Sequence, residues 1–133
     1  MKYLLDTNIC VHFFRGKFTL DKKFTEVGFH NCAISEITLA ELIYGAEHSN
    51  NPEKNLQLIE AFTQRLTIIP IIDCIYLYAK EKSRLRKSGQ LISDFDLLIG
   101  ATAISSNLIM VTENIAEFER LQDIIIENWV VRT

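Results

Sequence analysis

Tyr3-Leu4-Leu5-Asp6-Thr7-Asn8 is the stretch that decides the fold. Its apolar residues predict a short buried strand that ends on a carboxylate, and residues 7–15 then have the pattern of a helix. A carboxylate at the end of a buried strand is costly unless it caps a helix, pairs with a base or binds a cation. Asp6 is therefore either a simple N-cap or part of a polar site, and its neighbours Thr7 and Asn8 could orient it in both cases.

Strand and helix patterns alternate along the rest of the chain. The predicted strands are residues 3–6, 32–35, 67–72, 108–111 and 124–126, and the predicted helices are 7–15, 20–27, 37–48, 52–66, 73–88, 96–106 and 115–121. We expect Pro52 in the first turn of its helix, Asp73 as the cap of the next, and Gly89 just after that helix ends. The alternation predicts an α/β fold in which residues 1–133 form a single domain, with a mostly parallel central sheet flanked by helices.

Composition restricts the class of protein. The 133 residues include 14 basic and 17 acidic side chains, a net charge of −3, which argues against coating nucleic acid through bulk positive charge. The cysteines (Cys10, Cys32 and Cys74) are odd in number and lack CxxC spacing, so we expect buried thiols in a reducing compartment. No apolar stretch approaches the roughly 20 residues that a membrane span needs. We expect a cytoplasmic protein.

Two further carboxylates lie at positions that a parallel sheet could bring to Asp6. Glu41 lies in the apolar helical stretch Ile37-Thr38-Leu39-Ala40-Glu41-Leu42-Ile43-Tyr44-Gly45, where the alternative is a side chain that faces solvent. Asp96 begins a helix after Ser93-Asp94-Phe95, where the alternative is an N-cap and Asp94 is an equally plausible ligand. Sites in open parallel sheets form at the carboxyl ends of the strands, so these groups could converge with Asp6.

Thr112-Glu113-Asn114 follows the last long apolar strand and has the same strand-end position as Asp6. Asn114 offers a neutral oxygen, Thr112 a hydroxyl, and Glu113 a charged alternative. The histidines (His12, His30 and His48) share no ligand spacing, and we interpret them as surface or interface residues. Carboxylates without histidine or cysteine partners suit a hard cation such as Mg²⁺ or Mn²⁺, which favours hydrolysis of phosphodiesters by a metal-activated water.

The order of these motifs resembles the PIN-domain nucleases, and most closely the VapC-type toxins of bacterial toxin–antitoxin pairs. The resemblance rests on Leu5-Asp6-Thr7-Asn8, Thr38-Leu39-Ala40-Glu41-Leu42, Phe95-Asp96-Leu97-Leu98-Ile99 and Val111-Thr112-Glu113-Asn114, and it extends from residue 3 to about residue 129. It implies an endoribonuclease that depends on Mg²⁺ or Mn²⁺, with RNA (tRNA among the candidates) as substrate. It also implies a homodimer and a cognate antitoxin as partners.

Carried over residue by residue, the resemblance makes Asp6, Glu41 and Asp96 the metal-binding triad and favours Asp96 over Asp94. Asn114 stands where many members have Asp, and it would assist catalysis beside the triad. Thr7 and Thr112 match positions that support the site from behind.

Lys82 is the predicted substrate contact. It lies in the basic stretch 80–87, on the side of a predicted helix that also carries apolar residues, and it matches a basic position of the toxins. The competing hypotheses are a catalytically silent PIN-like module that binds RNA or protein, and a small phosphatase on a doubly wound sheet. Asn8, two residues after Asp6, argues against the phosphatase because the aspartate-nucleophile type needs Asp-x-Asp.

Overall fold

Five strands and seven helices alternate along residues 1–132, the part of the chain that the computed structural model describes. The strands are β1 (Tyr3–Leu5), β2 (Cys32–Ser35), β3 (Thr67–Ile69), β4 (Ile109–Val111) and β5 (Ile126–Glu127). The helices are α1 (Thr7–Phe14), α2 (Leu20–Val27), α3 (Glu36–Glu47), α4 (Pro52–Thr63), α5 (Ile75–Lys87), α6 (Asp94–Ser105) and α7 (Ile115–Phe118). Within residues 1–132, no helix combines the length and the apolar character needed to cross a bilayer.

The strands form one sheet in the order β3-β2-β1-β4-β5, and every pairing is parallel. This confirms the predicted α/β fold. β1 is the central strand, where Leu4 is in register with Ala33 of β2 on one side and with Met110 of β4 on the other. The chain places β2 and β3 on one side of β1 and then crosses to the other side for β4 and β5. The carboxyl ends of β1 and β4 therefore meet at the point where the strand order reverses, which is where sites form in such sheets.

Successive side chains of β1 point to opposite faces of the sheet and contribute to two separate apolar cores. Tyr3 and Leu5 face one side of the sheet and pack with the aromatic residues of α1, α2 and α4, while Leu4 faces the other side and packs with α5, α6 and α7. The first core includes Phe13, Phe14, Phe24, Phe29, Phe62 and Trp129, whose rings contact one another mainly edge to face. Because both faces of β1 are covered, its residues are apolar without interruption.

Several predicted boundaries are wrong for identifiable reasons. α6 begins at Asp94, not Asp96, because Ser93 is the N-cap and its Oγ accepts a hydrogen bond from the Asp96 amide. The strand predicted over residues 67–72 ends at Ile69, and Pro70, which has no amide hydrogen to give to a ladder, follows. The helices predicted over 52–66 and 115–121 end earlier, at Thr63 and Phe118, and the strand predicted over 124–126 lies at Ile126–Glu127.

The start of α5 is also different from the prediction. Asp73 does not cap this helix: a 3-10 turn at Ile72–Cys74 precedes it, and Cys74 stands at the N-cap position without a side-chain cap. The buried Cys74 thiol fixes this turn, because its Sγ lies 3.5 Å from Thr102 Oγ1 of α6. Gly89 follows α5 with a φ of 70°, as expected for a helix terminator. The predicted buried state of all three cysteines is confirmed, and they are free thiols.

We expect two identical glycine substitutions to have opposite outcomes for stability. At Gly100 of α6, an added Cβ would stand 2.2 Å from Leu121 Cδ1 and 3.3 Å from Phe118 Cδ1, whereas at Gly45 of α3 nothing lies within 4 Å. Gly100→Val should therefore lower the free energy of unfolding by about 1–3 kcal/mol through overpacking. Gly45→Val should remain within about 0.5 kcal/mol of wild type. Urea denaturation of both variants measures the difference, and equal stabilities would show that α6 and α7 are not closely packed at Gly100.

Candidate metal centre

A cavity of about 370 Å³ opens at the carboxyl ends of β1 and β4. The structure brings most of the predicted site residues to its walls and adds others that sequence reasoning did not select. The lining residues are Asp6, Thr7, Asn8, Val11, His12, Glu41, Asp96 and Asn114. Thr112 is buried directly behind Asp6. Lys82 and Asp94 are not among the residues that line this cavity.

Asp6 is the most buried of the carboxylates that line the cavity, with only 5% of its surface exposed. Its Oδ1 accepts a hydrogen bond from the Thr7 amide at 2.8 Å, so it does cap α1, and its Oδ2 accepts one from Thr112 Oγ1 at 2.7 Å. Burial raises the pKa of Asp6 to about 6, the nearby charges of Asp96 and Glu41 add to the rise, and the two hydrogen bonds oppose it. The N-cap and the polar-site interpretations are therefore both correct for this residue.

Glu41 reaches the cavity from α3 and is held by Thr7. Thr7 Oγ1 donates a hydrogen bond to Glu41 Oε1 at 2.6 Å and lies 3.2 Å from Thr38 Oγ1. Thr7 therefore contacts both carboxylates, Asp6 through its amide and Glu41 through its hydroxyl. The solvent-facing alternative for Glu41 is wrong, because its side chain is partly buried against α1.

Asp96 lies in the first turn of α6, where the helix dipole favours a negative charge. Its pKa is nevertheless raised, first by partial burial and then by the charges of Glu117 and Glu41, while a hydrogen bond with Ser93 opposes the rise. Glu117 of α7 is therefore close enough for its charge to act on the Asp96 carboxyl group. Sequence reasoning missed Glu117; its only signal was the three-residue spacing from Asn114.

Asp94 and Lys82 form an exposed pair away from the cavity. Lys82 Nζ lies 2.8 Å from Asp94 Oδ1, and the Tyr78 hydroxyl donates to the same oxygen at 2.8 Å. The hydrogen bond with Lys82 lowers the pKa of Asp94 below its usual value. Of the two aspartates that sequence spacing left open, only Asp96 lines the cavity.

Glu113 is not among the residues that line the cavity, and it contacts His12 and Arg132 instead. Its Oε1 lies 3.0 Å from His12 Nε2, and its Oε2 accepts a hydrogen bond from Arg132 Nε. These contacts, with Arg132 contributing most, lower the pKa of Glu113 to about 2. For His12, interpreted from the sequence as a surface or interface residue, the surface alternative is wrong because its side chain is only 15% exposed and lines the cavity. The signal for His12 was its four-residue spacing from Asn8 on the helix that leaves Asp6.

The donor set at this cavity fits a hard divalent cation. Carboxylate and amide oxygens come from Asp6, Glu41, Asp96 and Asn114, and such oxygens are the ligands of Mg²⁺ and Mn²⁺. Asn8 adds a buried Oδ1 that has no hydrogen-bond partner within residues 1–132. In the same residues no three acidic, histidine or cysteine side chains are close enough to form a closed cage. The carboxylates face a shared space instead, and their mutual repulsion would be relieved by a cation.

Without divalent ions, we expect Asp6→Asn to stabilise the protein at neutral pH. The folded pKa of about 6 exceeds the reference value of 3.8, so ionised Asp6 is the costly form in the folded state. The cost is absent below pH 4, grows as pH rises from about 4 to about 6, and reaches up to about 3 kcal/mol above that range. Denaturation of wild type and variant across this range should give curves that meet at low pH and diverge toward pH 7.

Asp94→Asn is the matched control, because it removes an exposed carboxylate of the same type from outside the cavity. The low pKa of Asp94 means that its ionised form is the favoured one in the folded state, so this variant should be slightly less stable at neutral pH. If Asp6→Asn were destabilised at pH 7 in the same way, the ionised carboxylate at Asp6 would not be the source of repulsion described above.

Comparison with known proteins identifies the family to which this chain belongs. A family model described as PIN domain matches residues 3–124. The chain is 40% identical over 132 residues to Ribonuclease VapC2 of Haemophilus influenzae, covering 98% of this chain and 99% of that protein. It is 35% identical to the tRNA(fMet)-specific endonuclease VapC of Shigella flexneri, covering 97% and 98%. It also superposes on a chain of the DNA-bound VapBC structure from Salmonella typhimurium with a TM-score of 0.90 and 35% identity, covering 97% and 98%. The chain belongs to the PIN-domain family, in its VapC branch.

Proposed function

We propose that this chain is a metal-dependent endoribonuclease, with Mg²⁺ or Mn²⁺ as its ion, and that it acts as the toxin of a toxin–antitoxin pair. The observation that carries the proposal is the cavity at the strand ends, where Glu41 and Asp96 bring two further carboxylates beside buried Asp6. The names of the relatives, Ribonuclease VapC2 and tRNA(fMet)-specific endonuclease VapC, support RNA as substrate and suggest tRNA as the class.

Asp6, Glu41 and Asp96 would hold the ion, and Asn114 would assist directly or through a water. When bound, such an ion lowers the pKa of a water molecule and offsets the charge that develops on the scissile phosphate. The raised pKa values of Asp6 and Asp96 support this assignment, because a cation is the partner that would favour their ionised forms.

The threonines determine where the carboxylates point. Thr112 Oγ1 and the Thr7 amide hold the two oxygens of Asp6, and Thr7 Oγ1 holds Glu41 Oε1. Each of these carboxylate oxygens keeps a second lone pair for a further partner. The site therefore needs little rearrangement to receive an ion, which supports its use in catalysis.

Lys82 remains our proposed phosphate contact. Its ammonium group pairs with Asp94, and that pair is exposed to solvent. Exposed ion pairs contribute little to stability, so Lys82 could exchange Asp94 for a phosphate at small cost.

We also propose a cognate antitoxin as partner and the cytoplasm as location. Structural neighbours at 33–38% identity are described as VapBC complexes, from Rickettsia felis and nontypeable Haemophilus influenzae among others, which supports an antitoxin partner. The three buried, free cysteines support a reducing compartment.

The proposed homodimer has a suitable surface at the β3 edge of the sheet. Large apolar side chains are exposed next to one another at the start of α5, with Tyr76 91%, Ile72 67% and Ile75 41% exposed. Ile68 of edge strand β3, four residues before Ile72, is exposed as well. Several large apolar side chains exposed so close together in the sequence are typical of a protein interface.

Tyr76→Glu should convert a dimer into a monomer, because it places a charge at the most exposed aromatic residue of this surface. Light scattering coupled to size-exclusion chromatography should give the mass of two chains for wild type and the mass of one chain for the variant. Ile125→Glu, at a 65% exposed apolar residue beside β5 on the opposite edge of the sheet, should remain dimeric. A monomeric wild type would contradict the dimer, and a dimeric Tyr76→Glu would place its interface elsewhere.

Asp96→Asn should reduce RNA cleavage by about 100-fold or more, because it removes a charged ligand from the cavity. Asp94→Asn is matched to it, since the two residues lie in the same turn of α6 and only Asp96 lines the cavity. This second variant should retain most of the activity. The measurement is cleavage of bulk tRNA and of total cellular RNA by purified protein with Mg²⁺ or Mn²⁺, with EDTA as the ion-free control.

Equal loss of activity in both variants would contradict the assignment of Asp96. Cleavage that persists in EDTA would contradict the dependence on an ion. If wild-type protein cuts no RNA with either ion but binds it, the catalytically silent module is the correct hypothesis.

A further inference from the structure

A second cavity adjoins the carboxylates and lies between α1, α3 and α4. It encloses about 310 Å³, and Val11 and Glu41 line both this cavity and the metal centre. We call it the α4 groove. Because the two cavities share lining residues, a bound RNA strand or peptide that extends from the metal centre toward α4 would enter this groove next.

The α4 groove has apolar walls and few polar groups. Phe14 of α1, Leu42 of α3 and Ile59 of α4 are among the apolar residues that line it, and Leu58 is an exposed one. Gly45 lies one turn after Glu41 and has no atom within 4 Å of where a Cβ would stand, so the groove is open above it. Apolar walls with a small number of placed polar groups are typical of sites for small ring systems.

The polar groups of the groove are arranged in a short chain. Asn55 Nδ2 donates a hydrogen bond to Ser49 Oγ at 2.8 Å, and Ser49 Oγ donates to the Ala46 carbonyl at 2.6 Å. Asn55 thereby keeps its amide oxygen and its second amide hydrogen for another partner. One acceptor and one donor side by side match the hydrogen-bonding edge of a nucleobase.

Arg15 supplies a positive charge at the rim. It is exposed at the end of α1, lines the groove, and forms no ion pair with the residues that the structure describes. A free guanidinium beside an apolar slot suits a phosphate that is linked to a base.

We propose that the α4 groove binds the base of the nucleotide next to the scissile phosphodiester, with Asn55 at the base edge and Arg15 on the adjoining phosphate. This inference rests on the proposed nuclease function and names a specificity-determining site for it. Nucleotide binding is favoured over an apolar peptide because the groove is continuous with the metal centre and combines a cation with an unfilled amide edge.

Gly45→Leu tests the proposal by filling the groove. The substitution points into open space and replaces a poor helix former with a good one, so the fold should be retained and thermal melting should occur at the same temperature or higher. The rate of cleavage of bulk RNA at sub-saturating concentration should fall about tenfold or more, which is the order of effect expected from loss of one base contact. Ala61→Leu adds the same side chain at an exposed position of α4 outside the groove and should cleave as wild type does.

Nuclear magnetic resonance of the ¹⁵N-labelled chain tests binding without cleavage. Addition of Mg²⁺ alone should move signals near Asp6 and Asp96. Addition of AMP, GMP, CMP and UMP in turn should move those of Gly45, Ser49 and the Asn55 side-chain amide, and this second set of shifts should be absent in Gly45→Leu. Inorganic phosphate should affect Arg15 but not Asn55.

Three results would overturn the base site. They are unchanged RNA cleavage by Gly45→Leu, nucleotide-induced shifts that Gly45→Leu retains, and loss of antitoxin binding by Gly45→Leu while cleavage is unaffected. The last result would assign the groove to a protein segment. Failure of the nuclease proposal is distinguishable, because wild-type protein would then cut no RNA while the nucleotide titration still reports on the groove.

Discussion

The buried carboxylate of Asp6 is the constraint on which the site depends. It stands at the end of the central strand, its two oxygens accept hydrogen bonds from Thr7 and Thr112, and burial raises its pKa to about 6. An ionised group in that position is costly without a counter-charge. The polar residues around it relieve only part of this cost, because Glu41 and Asp96 add negative charge to the same cavity.

The fold explains why these residues meet. β1 pairs with β2 and β4 on its two sides, so the segments that follow β1 and β4 leave the sheet at one edge. The Asp6 amide donates to the Val111 carbonyl at 2.8 Å, which extends the ladder by one residue and sets Thr112 against the carboxylate. α3 and α6 then pack across this edge and deliver Glu41 and Asp96. The small residue Gly100 allows α6 to pack closely on α7, which brings Glu117 to Asp96.

The sequence predicted the parts of this arrangement that depend on strand order and apolar alternation. The α/β fold and the strand-end position of Asp6 follow from the sequence pattern, whereas Glu41 and Asp96, which lie on helices α3 and α6, were selected by the resemblance to the PIN-domain nucleases. The spacing of residues alone could not decide between Asp94 and Asp96, because the decision depends on Ser93 being the N-cap, which sets the direction of both side chains. His12 and Glu117 were missed because a three- or four-residue spacing on a helix is too common to single out a site residue. The 3-10 turn before α5 was missed because it depends on the buried Cys74 contact with Thr102.

The most direct test of the account is a crystal structure of the protein soaked in Mn²⁺, with anomalous scattering recorded to locate the ion. We predict an anomalous peak in the cavity between the carboxylates of Asp6, Glu41 and Asp96, and its loss in Asp6→Asn crystals treated in the same way. A cavity that stays without a peak, while Mn²⁺ binds elsewhere or the protein cleaves RNA, would contradict the claim that these three carboxylates form the metal centre.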